Sequence, residues 1–150
     1  MHFTYILLGL TASASALHLQ MHIPSGCGGD YAICRNLPSN TCCRGSSGNI
    51  FRSLAFVDIN RYGTELRGYE GGFCTTRVQT ERSNGRTRVC LQAGSFSGGG
   101  FGWLSRKRSD GGADEQGASQ EDCQVPDAFV LEDGTEFDLT GLDVATYDEL

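Results

Sequence analysis

From Leu17 to Ile23 apolar and polar residues alternate, with Leu17, Leu19, Met21 and Ile23 on one side and His18 and His22 on the other. A period of two belongs to a β-strand. The stretch is therefore expected to be extended, with solvated histidines, and to end at Pro24 and Gly26. Cys27 to Cys34 reads as a turn followed by a short element, and Asn36, Pro38, Ser39 and Asn40 read as loop, so the stretch is expected to be irregular. Ile50 to Ile59 is rich in aromatic and β-branched residues, which favours a buried strand, with a short helix as the alternative because short apolar runs are ambiguous by periodicity alone. Leu66 to Tyr69 reads as a further short strand before Gly71-Gly72.

Cys74 to Gln92 carries the clearest local signal. Asn84-Gly85 suits a two-residue hairpin turn, because both residues tolerate positive φ. With that turn at the tip, Arg82 pairs with Thr87, Thr80 with Val89, Val78 with Leu91, and Glu81 sits opposite Arg88. Cys74 and Cys90 then fall on opposite faces, so each is expected to reach back to the Cys27–Cys43 region. Phe96, Phe101 and Trp103 are interleaved with glycine and are expected to pack in the core, since small domains need every large apolar side chain they have. Residues 105–125 are charged, rich in Gly and Ser, and read as a linker. Asp133-Gly134, between Phe129–Glu132 and Thr135–Leu139, is a second hairpin signal.

The cysteines change this picture from a loose set of strands to a stapled domain. Phe3 to Leu10 is an apolar run too short to span a bilayer, and Ala14-Ser15-Ala16 has the small-x-small form of a signal cleavage site. Cleavage is expected after Ala16, which sends the chain through an oxidising route where thiols pair. Cys27, Cys34, Cys42, Cys43, Cys74 and Cys90 make an even set for three disulfides, with the adjacent Cys42 and Cys43 taking different partners. Cys123 is the odd thiol, expected to be free or joined to another chain. No histidine follows His22 and no Cys-x-x-Cys occurs, so a zinc site is not expected.

Charge divides the chain at Lys107-Arg108. Residues 17–108 hold all twelve Lys and Arg against five acids, a charge of +7, whereas residues 109–150 hold thirteen acids and no base, a charge of −13. Such asymmetry suggests an interaction segment or one that masks the other half. Lys107-Arg108 resembles the site cut by kexin-type proteases of the secretory pathway. A cut there would remove both the acidic segment and Cys123.

Enzyme constellations are sparse. There is no nucleophile elbow or phosphate-binding Gly-x-x-x-x-Gly-Lys motif, and no Ser–His or Cys–His pair is available in the cysteine-rich region. Glu65, Glu70 and Glu81 are the only glutamates before the linker that acid–base chemistry could use. No catalytic residue, metal or cofactor is assigned, and the residues favour a binding protein over an enzyme. Eleven of the twelve bases are Arg, which suits bidentate contacts to phosphate or carboxylate. The expected partner is anionic: a membrane surface, a cell-wall polymer or a nucleic acid.

Cys42-Cys43-x(7)-Phe51-Arg52-Ser53-Leu54 and Gly71-Gly72-Phe73-Cys74, in a short chain with a signal-like start and a dibasic pair, resemble the small secreted cysteine-rich proteins of filamentous fungi. The resemblance covers roughly residues 27–104. It implies an effector-, toxin- or antimicrobial-like role and brings no catalytic residues.

The expected architecture is mainly β: a small disulfide-stapled antiparallel sheet of three to five strands, with the Cys74–Gln92 hairpin at its centre and an acidic C-terminal extension. The expected divisions are a signal peptide (1–16), a basic cysteine-rich domain (17–104), a linker (105–125) and an acidic segment (126–150). The expected function is that of a secreted, extracellular protein, with no transmembrane segment, whose basic module engages an anionic surface or polymer. The alternatives are a small secreted hydrolase acting on RNA or glycan through Glu and Arg, and a cell-wall structural protein.

Overall fold

The structure, a computed structural model, describes residues 17–46, 48, 50–103, 123–142 and 146. Eleven strands are found among them: β1 Leu17–His22, β2 Tyr31–Leu37, β3 Cys42–Arg44, β4 Ser53–Val57, β5 Thr64–Glu70, β6 Thr76–Arg82, β7 Arg88–Leu91, β8 Gly98–Trp103, β9 Cys123–Gln124, β10 Ala128–Val130 and β11 Glu136–Asp138. They form two sheets, not one. The first has the order β11-β10-β2-β1-β4-β7 and the second β6-β5-β8-β3-β9. The pairings are antiparallel except for β3 with β9, where Cys42 faces Cys123 and Cys43 faces Gln124.

One core lies between the sheets. Leu19 and Met21 from β1, Leu54 and Phe56 from β4, Leu66 from β5 and Phe101 from β8 are all buried in it, joined by Phe51 and Phe96. Phe96 and Phe101 are core residues and Trp103 packs partly buried against them. The glycine-rich strand β8 lies in the middle of the second sheet, and this is what brings the layers close. A Cβ at Gly99 would lie 2.9 Å from a methyl of Leu19 and 3.0 Å from one of Leu54.

Three disulfides staple the fold, and one of them joins the two layers. Cys34–Cys43 ties β2 in one sheet to β3 in the other, Cys42–Cys74 ties β3 to the β5–β6 turn, and Cys27–Cys90 ties the loop after β1 to β7. Cys42 and Cys43 do take separate partners, because neighbouring side chains on a strand point to opposite faces. Cys90 and Cys74 each reach back into the Cys27–Cys43 region.

Several local expectations are corrected. The Asn84-Gly85 turn forms, with φ of 48° and 81°, yet its two arms do not pair. β6 pairs with β5 and β7 with β4, so the turn carries the chain from one sheet to the other. Each arm is an edge strand, and neither is central. The hairpin partner of β6 is β5, across a turn in which Gly71, Gly72, Phe73 and Cys74 all have positive φ. The stretch expected to be irregular contains β2, whose side chains find their burial only when β1 and β10 flank it. His22 is not solvated: it is 2% exposed, its ring lies 4.8 Å from that of Tyr31, and its Nδ1 donates to the Gly28 carbonyl at 2.9 Å.

The second hairpin signal is met, since β10 and β11 pair across Asp133-Gly134. The two sheets also divide the C-terminal segment between them, with β9 in one and β10–β11 in the other.

Candidate functional site

β5 alternates cleanly. Thr64, Leu66 and Gly68 are buried, while Glu65, Arg67 and Tyr69 are half-buried on the outer face. On one flank these three meet Gly102, Gly100 and Gly98 of β8, and on the other they meet Arg82, Thr80 and Arg77 of β6. Arg77 and Arg82 are an odd number of residues apart, so a regular strand would send them to opposite faces. The register shift between Gly68 and Tyr69 corrects this and brings Arg77 to the same face as Arg82.

The missing side chains on β8 give Arg67 room to lie flat. A Cβ at Gly102 would stand 2.6 Å from Arg67 Nη2 and 2.7 Å from Asn40 Oδ1. Arg67 Nε donates to Glu65 Oε1 at 2.7 Å, and its Nη1 donates to Asn40 Oδ1 at 3.2 Å. Arg77 Nη1 approaches the same Glu65 oxygen at 3.5 Å, and its guanidinium stands 6.0 Å from the centre of the Tyr69 ring. The Glu65 and Arg67 side chains are each 14% exposed, against 32% for Arg77. The face thus carries Arg67, Arg77 and Arg82 over a single carboxylate, with Tyr69, Thr80 and Asn40 between them. Chemically it offers guanidinium and hydroxyl donors to an anion, with Arg67 and Arg77 held by the Glu65 carboxylate they share.

The remaining arginines are spread over other surfaces. Arg35 pairs with Glu136 at 3.0 Å, Arg86 with Glu81 at 2.8 Å, and Arg61 lies 4.2 Å over the Trp103 ring. Arg52 borders a shallow hollow of about 480 Å³ together with Ile23 and Ile50. The three glutamates do not converge: Glu65 sits between two arginines, Glu81 pairs with Arg86, and Glu70 is exposed at the end of β5. His18 and His22 lie in the other sheet, where His18 is 3.3 Å from Asp58. Burial, helped by the charge of Arg88 and opposed by the Gly28 and Gly29 carbonyls, holds His22 below its ordinary pKa.

The docked acidic strands stand away from this face. In the second sheet β9 and the β5–β6 pair occupy opposite ends, and β10–β11 extend the first sheet beyond β2. Among the described acidic-segment residues, Glu136 makes the ion pair to an arginine, and that arginine is Arg35. Lys107, Arg108 and Ala16 lie outside the described residues. Cys123 lies in β9 beside Cys42 and takes no part in the three disulfides. Among the described residues no cluster of three or more His, Cys, Asp or Glu is placed to hold a metal, and no helix is long and apolar enough to cross a membrane.

Sequence reasoning missed the grouping of Asn40, Tyr69, Arg77 and Arg82 around Glu65–Arg67. The signal was present as two period-two rows, Glu65/Arg67/Tyr69 and Gly98/Gly100/Gly102, but nothing local shows that the rows are neighbours.

Residues 18–127 match the model of a protein family, ARB_05566_N, described as an N-terminal domain. That span runs through β9 and stops before β10. No curated protein and no solved structure matches the chain.

Proposed function

The chain belongs to the ARB_05566_N family, and we propose that it is a secreted, extracellular binding protein whose outer β5–β6 face engages an anionic polymer. The observation that carries this reading is the excess of guanidinium on that face, where Arg67 and Arg77 share the Glu65 carboxylate and Arg82 stands opposite Glu65 in the strand pairing. Guanidinium donors fixed on a sheet suit repeating phosphate, sulfate or carboxylate groups. The aromatic face of Tyr69 adds a stacking surface for a base or a sugar. The three disulfides support an oxidising, extracellular address. Kexin-type processing after Arg108 belongs to the same proposal.

The test is binding to RNA, to a sulfated polysaccharide and to anionic vesicles, each at several salt concentrations. Affinity for one of the polymers should fall linearly on a log–log plot against salt. Replacing Arg77 and Arg82 together by Gln should lower the slope by about two, while Arg52→Gln should leave it unchanged. Equal binding by the double variant and the parent would overturn the reading. Preferential binding to vesicles would assign the chain to membranes.

A second reading is favoured by one feature, the half-buried Glu65 carboxylate between the Arg67 and Arg77 guanidiniums. An outward Glu with cationic neighbours can serve a small hydrolase acting on RNA or glycan, with the arginines stabilising developing negative charge. Incubation of the purified protein with labelled RNA and with glycan oligomers tests it. Cleavage that disappears in Glu65→Gln would establish this activity, and its absence from the parent protein would exclude it for those substrates.

A further inference from the structure

The charge of the acidic C-terminal segment suits either a removable mask or a piece that docks on the basic module. The strands it forms favour the second. We propose that residues 123–142 are a docking segment that stays bound when the chain is cut after Arg108, so that the processed protein is a two-chain complex and not a free basic module.

The segment completes both sheets. β9 lies parallel to β3 at one edge of the second sheet, and β10 lies antiparallel to β2 in the first, with Ala128, Phe129 and Val130 opposite Ile33, Ala32 and Tyr31. Both attachment edges, the seven-residue β2 and the three-residue β3, are held by the Cys34–Cys43 disulfide. An edge held in place in this way is a ready template for an added strand.

The segment also has apolar anchors on both faces of the first sheet. Ala128 and Val130 are 1% and 8% exposed and form a cluster with Ile33 and Tyr31, separate from the main core. Between them Phe129 turns the other way and packs against the main core.

Polar contacts then fix the register. The Asp127 carboxylate accepts the backbone N–H of Arg35. The Asp127 N–H donates to the Ile33 carbonyl at 2.8 Å, and its own carbonyl accepts from Leu139 at 2.8 Å. The Glu132 N–H donates to Asp30 Oδ1 at 2.8 Å, and Glu136 pairs with Arg35. None of these contacts passes through residues 104–122. Cutting there removes the effective concentration that a tether supplies but leaves every ladder bond and apolar contact in place. Opposite net charge on the two pieces adds a long-range attraction. The family match takes in β9 and stops before β10 and β11. This inference rests on the proposed processing after Arg108 and not on the anion-binding reading, so a site that resists the protease overturns the processing and leaves the docking to be tested with the substituted site.

The experiment uses the full exported chain carrying Cys123→Ser, so that no disulfide can hold the piece. It is cut at Lys107-Arg108 with a kexin-type protease, and complete cutting is confirmed by denaturing mass analysis. If that site resists, a recognition sequence for another protease placed at residues 105–110 serves instead. Both pieces should co-elute on native gel filtration at micromolar concentration and separate in denaturant. Val130→Asp, cut in the same way, should release the C-terminal piece. Separate elution of the two pieces from the cut Cys123→Ser chain would overturn the proposal, as would unchanged co-elution in Val130→Asp.

Discussion

A single methyl group at Gly98 would meet the Cys43 carbonyl oxygen at 2.6 Å, and a backbone atom in a paired strand cannot turn aside as a side chain can. Gly98→Ala should therefore cost about 1–3 kcal/mol. Thermal unfolding should show this as a melting temperature lower by roughly 4–15 °C. His22 makes a different prediction at the same scale. Its folded pKa lies below the ordinary value of 6.5, chiefly because burial disfavours the charged ring. The stability it supports is complete above 6.5. It is lost as the pH falls from 6.5 through the lower folded value, because only the unfolded chain takes up the proton in that window. Denaturant midpoints should fall between pH 7.5 and 5, and His22→Asn should flatten that fall. The Asp133 and Asp138 carboxylates, held below their usual range chiefly by side-chain hydrogen bonds from Thr135 and Thr140, act only in more acid solution. The alternation from Leu17 to Ile23 placed His22 on the outer face, which is where its partner Tyr31 lies. It could not show that the loop carrying Gly28 would close over the ring.

Among the elements, the disulfides differ in how much of the unfolded chain they restrain. Cys27–Cys90 spans 63 residues and Cys34–Cys43 spans nine. By loop-closure entropy the first is worth about 4 kcal/mol and the second about 3. Replacing both cysteines of each bridge by Ala should preserve this order in denaturant unfolding. A larger loss from the shorter bridge would show that its joining of the two sheets, and not loop length, sets its contribution. The strands themselves were largely legible: β1, β4, β5, the Asn84-Gly85 turn and the β10–β11 hairpin all lie where patterning or turn chemistry puts them. Pairing was not. A turn signal fixes where the chain reverses, but the choice of partner depends on burial against distant residues. Val89 and Leu91 are buried beside β4, whereas β6 has no buried residue and runs along the edge beside β5. The candidate face was illegible for the same reason, because its two rows come from strands about thirty residues apart, and Arg77 joins them only through a register shift between β5 and β6.

For the molecule as a whole, the division of charge along the sequence is not a division of the fold. The described part of the acidic segment is built into both sheets. Ending the chain at Arg108 would leave the free edges of β2 and β3 open. The shortened protein should melt at a lower temperature than the full chain and should self-associate at concentrations where the full chain stays monomeric, since open edges recruit other strands. Light scattering during a thermal scan measures both effects. The mainly β class and the disulfide stapling followed from composition and cysteine parity. The second sheet did not, because nothing local tells a strand which layer it joins.

The adjacent pair Cys42-Cys43 has a practical consequence. Exchanging their partners would give a product of identical mass and identical thiol count, with β3 turned face for face. Material re-oxidised in a test tube can therefore contain two isomers that intact-mass measurement does not tell apart. Chromatographic retention, and fragmentation of the peptide bond between the two cysteines, are the readouts that separate a correctly built batch from its mispaired twin.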